Sequence, residues 1–288
     1  MIKQFLANVG FIIISLTLTT NVWAQAHISQ AADGVYQYGP GHGFNSMFVV
    51  SNEGVVVFDP ASNTHSEGLL KAIRKITDKP ILYVVQSHNH WDHAGGGQIF
   101  RDQGATILAH QEAYNWMKNN PHPDLALPDE LWAGKSKTLT VGDKTMELKY
   151  MGQSHGLGMT VTLLPKEKVA FIADLVTPER VMFTIVPDFH IKGWKQALRE
   201  IEEMDFETAI FSHSHAKSPI GAKQDVILER QYIEDLEAAI IAEFQKGTSF
   251  EEIPHKIKLE KYSHWYGYND WLSMNALRLM LDMWMGPY

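Results

Sequence analysis

The chain reads as an α/β protein, on three observations. Short β-branched and aromatic runs alternate with helically spaced apolar residues between positions 55 and 118, the pattern of strand-helix-strand units. A second group of short apolar runs follows between 138 and 172. The densest group of potential metal ligands, His88-Asn89-His90-Trp91-Asp92-His93, comes directly after the apolar run Ile81-Leu82-Tyr83-Val84-Val85. That is the carboxyl end of a strand, where open α/β sheets usually place their chemistry.

Composition narrows the function. The 288 residues carry a formal charge of −8 without Lys/Arg runs, which argues against nucleic acid and leaves a small molecule as the expected substrate. There is no cysteine, so neither a thiolate ligand nor a cysteine nucleophile enters the argument. Residues 1–24 hold one charge, Lys3, then an apolar stretch from Phe11 to Leu18 and the small-residue end Val22-Trp23-Ala24. This reads as a secretory signal peptide, cleaved before Gln25, and implies a periplasmic or secreted protein. Its apolar core is short for a membrane span, so stable membrane insertion is not expected after cleavage. The rest divides into one domain over 25–217 and a helical C-terminal extension over 218–288 packed on it.

Taken in order, Val35-Tyr36-Gln37-Tyr38 and Ser46-Met47-Phe48-Val49-Val50 read as strands, with His42 in the glycine-rich loop between them as a solvated loop residue. The turn Ser51-Asn52-Glu53-Gly54 joins the second of these to Val55-Val56-Val57-Phe58 as a hairpin. Asp59 ends that strand. Leu69, Leu70, Ile73 and Ile76 recur at helical spacing and lead into the strand before the histidine cluster. After it, the triple glycine Gly95-Gly96-Gly97 permits a tight turn. A helix over 98–102, a strand over 106–109 and a helix over 111–118 follow, and then a long proline-containing loop to about 136 that carries Trp132. A loop of that length in a compact domain is a candidate wall for a substrate pocket.

Within the cluster, His88 and His90 stand two apart on a locally extended segment and can bind one ion together, whereas Asp92 and His93 are better placed for a second. Imidazole with carboxylate is a ligand mix that suits zinc. The run His88-Asn89-His90-Trp91-Asp92-His93 resembles the signature of the metallo-β-lactamase-fold hydrolases, and the match extends over about Val35 to Lys217. The resemblance implies a four-layer αββα sandwich with one or two metals at its edge. In the family an aspartate at the place of Asp59 supports the metal loop from behind, and His155, in Gln153-Ser154-His155-Gly156, occupies the place of the third histidine on the first metal. Asp174, after the strand Val169-Ala170-Phe171-Ile172, has two oxygens with which to bridge two ions. Ala173-Asp174-Leu175 is more similar to the glyoxalase-type branch than to the β-lactamases proper. The family's last ligand falls in Ser212-His213-Ser214-His215, where His213 aligns better with the strand end than His215 does.

The expected centre is therefore dinuclear. His88, His90 and His155 would hold one ion, Asp92, His93 and His213 the other, and Asp174 would stand between them. Zinc is the expected metal, with iron or manganese as alternatives. The expected activity is attack of metal-bound hydroxide, oriented by Asp92, on an ester, thioester, lactone or amide-type substrate. The alternatives are a mononuclear iron oxygenase of the same fold, a β-lactam hydrolase, or a non-catalytic metal-binding accessory protein. After a helix over 191–203 and a strand over 209–211, long amphipathic patterns over 222–244 and 271–285 form the C-terminal helices. The aromatic group from Tyr262 to Tyr268 between them is expected to pack those helices onto the sandwich rather than line the pocket.

Overall fold

Two sheets are packed face to face, with helices on both outer surfaces, in a computed structural model that describes residues 27–39 and 43–286. The expected leader over 1–24 and His42 lie outside the described residues. The first sheet runs β1 (His27–Ala32), β2 (Val35–Gly39), β3 (Ser46–Val50), β4 (Val55–Phe58), β5 (Ile81–Gln86), β6 (Thr106–His110) and β7 (Glu130–Trp132), in that spatial order. β1 to β4 form an antiparallel meander, whereas β4 to β7 are parallel. Their crossovers carry α1 (Asn63–Ile76), the short turns α2 (Trp91–Ala94) and α3 (Gly97–Arg101), and α4 (Gln111–Met117). The second sheet holds β8 (Ser136–Val141), β9 (Lys144–Tyr150), β10 (Thr160–Leu164), β11 (Val169–Ile172), β12 (Thr208–Phe211) and β13 (Ile220–Gly221). Only β11 and β12 are parallel in this sheet, joined through α5 (Ile191–Glu203).

The layers follow from the two-residue period of the strands. Val169 and Phe171 of β11 face the inter-sheet core with Val56, Phe58, Val85 and Leu108, while Ala170 and Ile172 face outward to Trp194, Leu198 and Ile201 of α5. The outer face of the first sheet buries Phe48, Val57 and Val84 under Leu69, Ala72 and Ile73 of α1. Ser62 caps that helix, its side chain accepting from the His65 N–H, and Arg74 and Lys75 complement the dipole in the last turn. The fold is the expected αββα sandwich. α6 (Lys223–Gln245), α7 (Ile253–Lys256) and α8 (Tyr268–Met285) share one apolar cluster with α5 and the second sheet, so these C-terminal helices complete the fourth layer. No helix among the described residues is long and apolar enough to cross a membrane.

Two expectations change and one stands. Asp92 and His93 sit in a helical turn rather than a loop, because the His90 carbonyl accepts from the Ala94 N–H at 2.8 Å. The long loop after α4 contains β7, and Trp132 is 6 % exposed between the two sheets. It is a core residue and no wall of a pocket, since pairing with β6 turns its ring inward. The aromatic group near 265 packs as expected: Tyr262 and Trp265 are buried against Tyr232 of α6.

Gly96 links α2 to α3 with φ 74, and a Cβ there would run into the Ser66 hydroxyl and the Ser62 carbonyl. Gly96→Ala is therefore expected to destabilise the metal-free protein by about 1–3 kcal/mol, through both strain and displacement of the α1 N-terminus. Urea unfolding of both proteins in chelator checks this, and coincident midpoints would contradict it.

Candidate metal centre

Four strand ends meet at one edge of the sandwich. β4 ends at Asp59 and β5 at Ser87-His88, and parallel pairing of the two strands (Phe58 opposite Val85) forces both ends to the same side. In the second sheet β11 ends at Asp174 and β12 at Ser212-His213, parallel again, with Ile172 opposite Phe211. Bonds between the sheets hold the two edges in line: Asn45 N–H donates to the Ser212 carbonyl at 2.8 Å and Thr160 N–H to the Ser87 carbonyl at 2.8 Å. His155 enters from the β9–β10 connection.

At the centre is the Asp174 carboxylate. Its Oδ2 lies 3.1 Å from His155 Nε2, 3.6 Å from His88 Nε2 and 3.9 Å from His90 Nδ1. Its Oδ1 lies 3.0 Å from His93 Nε2 and 3.2 Å from His213 Nε2. Five imidazoles thus divide between the two oxygens of one carboxylate, three on one side and two on the other. Asp92, 48 % exposed, stands 3.9 Å from His93 Nε2 on the second side. The groups with ligand atoms close enough to share an ion include His88, His90, His155 and Asp174, and Asp92, His93 and His213. His215 is directed elsewhere: its ring stacks on Tyr266 at 4.0 Å.

The surrounding hydrogen bonds show what the nitrogens are prepared for. Ser87 Oγ donates to Asp59 Oδ2 at 2.6 Å, so at 2.9 Å it accepts from His88 Nδ1. That leaves Nε2 of a neutral His88 as a bare lone pair, buried and without a partner. An apolar or merely structural histidine would not be held so; a cation at that lone pair resolves the deficit. His93 Nδ1 lies 3.0 Å from Asp59 Oδ2, again turning Nε2 inward, the usual arrangement behind a metal-bound imidazole. His90 donates from Nε2 to Asp188 Oδ2 at 2.6 Å and presents Nδ1.

Electrostatics agree with a site shaped for cations. Burial, reinforced by the neighbouring His93 and His90, holds His88 well below the ordinary histidine range. For His90 burial works downward, but hydrogen bonds and charge from Asp174 and Asp188 outweigh it and push the imidazole up to about 9. His93 is also raised well above its usual value: burial opposes, and Asp174, Asp59 and Asp92 together prevail. Burial would raise Asp174, yet His93, His213 and His155 keep it well below the usual carboxylate range. Positive charge on imidazoles thus stands where positive charge is wanted.

Beside the centre opens a cavity of about 800 Å³, walled mainly by the irregular segment 177–189, Phe44, Trp91 and Trp116. Helix α8 holds this segment in place. Asn275 donates to the Met182 and Thr184 carbonyls at 2.9 and 2.6 Å, and Arg278 to the Phe189 carbonyl at 2.7 Å. Sequence reasoning passed over Asp188, Arg180 and Glu229, all of which line the cavity. The sole local signal for Asp188 was its place in an aperiodic stretch soon after a strand-end aspartate.

A family model described as the metallo-beta-lactamase superfamily matches residues 40–213. Among characterised proteins, the chain is similar to the two subunits of 2,4-dinitroanisole O-demethylase of Nocardioides sp. (strain JS1661). It is 25% identical to the alpha subunit over 175 residues (59% of this chain, 52% of the relative) and 25% identical to the beta subunit over 288 residues (94% and 82%). A solved stereoselective inverting sec-alkylsulfatase from Pseudomonas sp. superimposes with a TM-score of 0.70 at 17% identity, covering 91% of this chain and 51% of that one. The chain thus spans about half the length of the demethylase alpha subunit and of the sulfatase.

Two outcomes follow from this geometry. His213→Ala is expected to empty one metal position, whereas His215→Ala should leave the metal content of purified protein unchanged; the reverse ranking would move the last ligand to His215. Glu229, 4 % exposed on α6, has its carboxyl pushed up to about 8 by burial, against the pull of Arg180 and the Thr177 backbone. Unfolded, the same group ionises from about 4.5 upward, so the native state loses stability as pH rises from 4.5 to 8. Glu229→Gln removes that loss. The variant should match the parent at pH 4 and exceed it by a few kcal/mol at pH 8 in denaturant titrations, and a pH-independent difference would contradict the burial argument.

Proposed function

The chain belongs to the metallo-β-lactamase superfamily, and from that premise we propose that it is a metal-dependent hydrolase whose centre holds two ions astride Asp174. The observation that carries this reading is the division of five imidazoles between the two oxygens of one carboxylate. His88, His90 and His155 would hold one ion, and Asp92, His93 and His213 the other. The donor set of nitrogen and carboxylate oxygen suits zinc. A mononuclear iron centre would use the first set alone, leaving His93, His213 and Asp92 assembled without purpose, and this favours the two-ion reading.

Bound divalent ions supply Lewis acidity and make water acidic enough to attack near neutral pH. The protein's own groups do the rest. Asp92, exposed to the cavity, is placed to accept a proton at its carboxylate and to orient the attacking water. Asp59 and Asp188 fix the tautomers of His93 and His90 and thereby aim their inner nitrogens. The apolar wall around Phe183, Val186 and Phe189 excludes water from the bound substrate. The carboxylate at Asp174, where the resemblance is to the glyoxalase-type branch, favours an ester, thioester, lactone or amide-type substrate over a dedicated β-lactamase role. The leader read in residues 1–24 adds export to the periplasm or beyond as part of the same proposal.

Asp174→Asn keeps the shape of the side chain and removes its charge, so two cations would repel with less compensation. The variant is expected to fold, to retain about one metal where the parent holds about two, and to lose most hydrolysis of the ester, thioester and lactone substrates the parent accepts. Its remaining activity should peak at higher pH, because water polarised by a single ion is less acidic. Metal analysis with a pH-rate profile tests this. Two ions retained with an unshifted profile would make Asp174 a structural residue.

A further inference from the structure

The cavity contains a cationic group that the metal centre does not use. Arg180 is the only lysine or arginine among its described lining residues. The backbone on either side is clamped: Val181 N–H donates to the Tyr266 carbonyl at 3.1 Å and Tyr266 N–H to the Glu179 carbonyl at 2.8 Å. The guanidinium donates through Nη2 to Thr177 Oγ1 at 2.9 Å and lies 5.7 Å from the centre of the Phe183 ring. Its Nε is buried without a hydrogen-bond partner, which a planar fork of five donors does not tolerate without cost. No carboxylate among the described residues forms an ion pair with it, although Glu229 lines the same cavity. Burial pushes the Glu229 carboxyl up to about 8, so at neutral pH it adds little negative charge beside Arg180.

An arginine held in place and short of acceptors, in a cavity whose lining brings Phe44, Trp91, Val186 and Phe189 together with the candidate metal-binding residues, has the makings of an anion site beside an apolar one. We propose that the cavity takes an anionic amphiphile: a substrate with an apolar body lying along the 177–189 segment and an oxyanion group, such as a carboxylate or sulfonate, held by the Arg180 guanidinium. Asp174 and Arg180 belong to one short stretch of chain, and the Asp174 charge acts on the guanidinium. The anionic group therefore binds close to the metal centre, and the apolar body extends away from it. This rests on the hydrolase reading for what happens to the substrate, but not for its binding.

The test measures binding on the metal-loaded protein by calorimetry, with octanesulfonate and 1-octanol as probes and metal content recorded for each sample. The parent is expected to bind octanesulfonate about tenfold or more tightly than octanol, as one charge-assisted fork contact provides. Arg180→Met should abolish that preference while metal content and octanol binding persist. Should Arg180→Met fail to fold, Arg180→Lys serves in its place: a point charge without the fork should reduce the preference without removing it. A parent that binds both probes alike would overturn the proposal. So would a preference undiminished in either variant, which would place the anion on the metals. Because no turnover is read, a protein that shows the preference yet hydrolyses no ester would refute the hydrolase reading and leave this one standing.

Discussion

The arrangement of the whole site depends on keeping one carboxylate ionised in a place where burial alone would protonate it. Asp174 is held well below the ordinary carboxylate range because His93, His213 and His155 crowd around it, and those imidazoles are there because four strand ends share an edge. Parallel pairing is what enforces this: β4 with β5 and β11 with β12 each bring two carboxyl ends side by side. Antiparallel neighbours would send alternate ends to opposite edges. Asp59 extends the constraint by one step, since the same carboxylate accepts from Ser87 and His93 and so orients two imidazoles together. It does so from a backbone with φ 48, a conformation uncommon for residues other than glycine and typical of sites whose geometry is over-determined.

Much of this was legible in the sequence because the relevant signals are local. The run from Ile81 to His93 places ligands at a strand end by composition alone, and the sandwich follows from resemblance plus the alternation of strand and helix. The seven residues singled out as candidate ligands lie together at that edge, with Asp59 also among them. His213 could be separated from His215 by counting from the end of β12, and the ring of His215 is in fact engaged with Tyr266. What stayed hidden depends on distant partners. The 177–189 segment has no period to read, and its course is set by Asn275 and Arg278, about ninety residues away. Strand β7 is only Glu130–Trp132, too short to show alternation, and so Trp132 looked like part of a loop.

The C-terminal helices have a larger part than an appendix. α8 anchors the wall of the cavity through side chains that satisfy main-chain carbonyls, and α6 contributes Glu229 to the lining. Candidate metal ligands and cavity wall are thus supplied by different parts of the chain. The first comes from the sandwich edges and the second from a segment tied to the last layer. Glu179, Thr184 and Val186 in that segment all have positive φ, costly for a β-branched residue such as Val186, so its shape is imposed by these ties rather than by local preference.

Without a cation, the carboxylates around them push His90 up to about 9 and raise His93 well above its usual value, so both hold protons more tightly than a free imidazole. Those protons lie where a metal would stand. Loading is consequently an exchange, in which incoming ions expel protons from the imidazoles, acidify an unbuffered solution and gain apparent affinity with every rise in pH until the imidazoles are bare. The folded edge offsets its carboxylates with imidazole protons before a metal arrives. It passes from one set of positive charges to another, and an acidic medium, by returning protons to the same nitrogens, drives the exchange backwards.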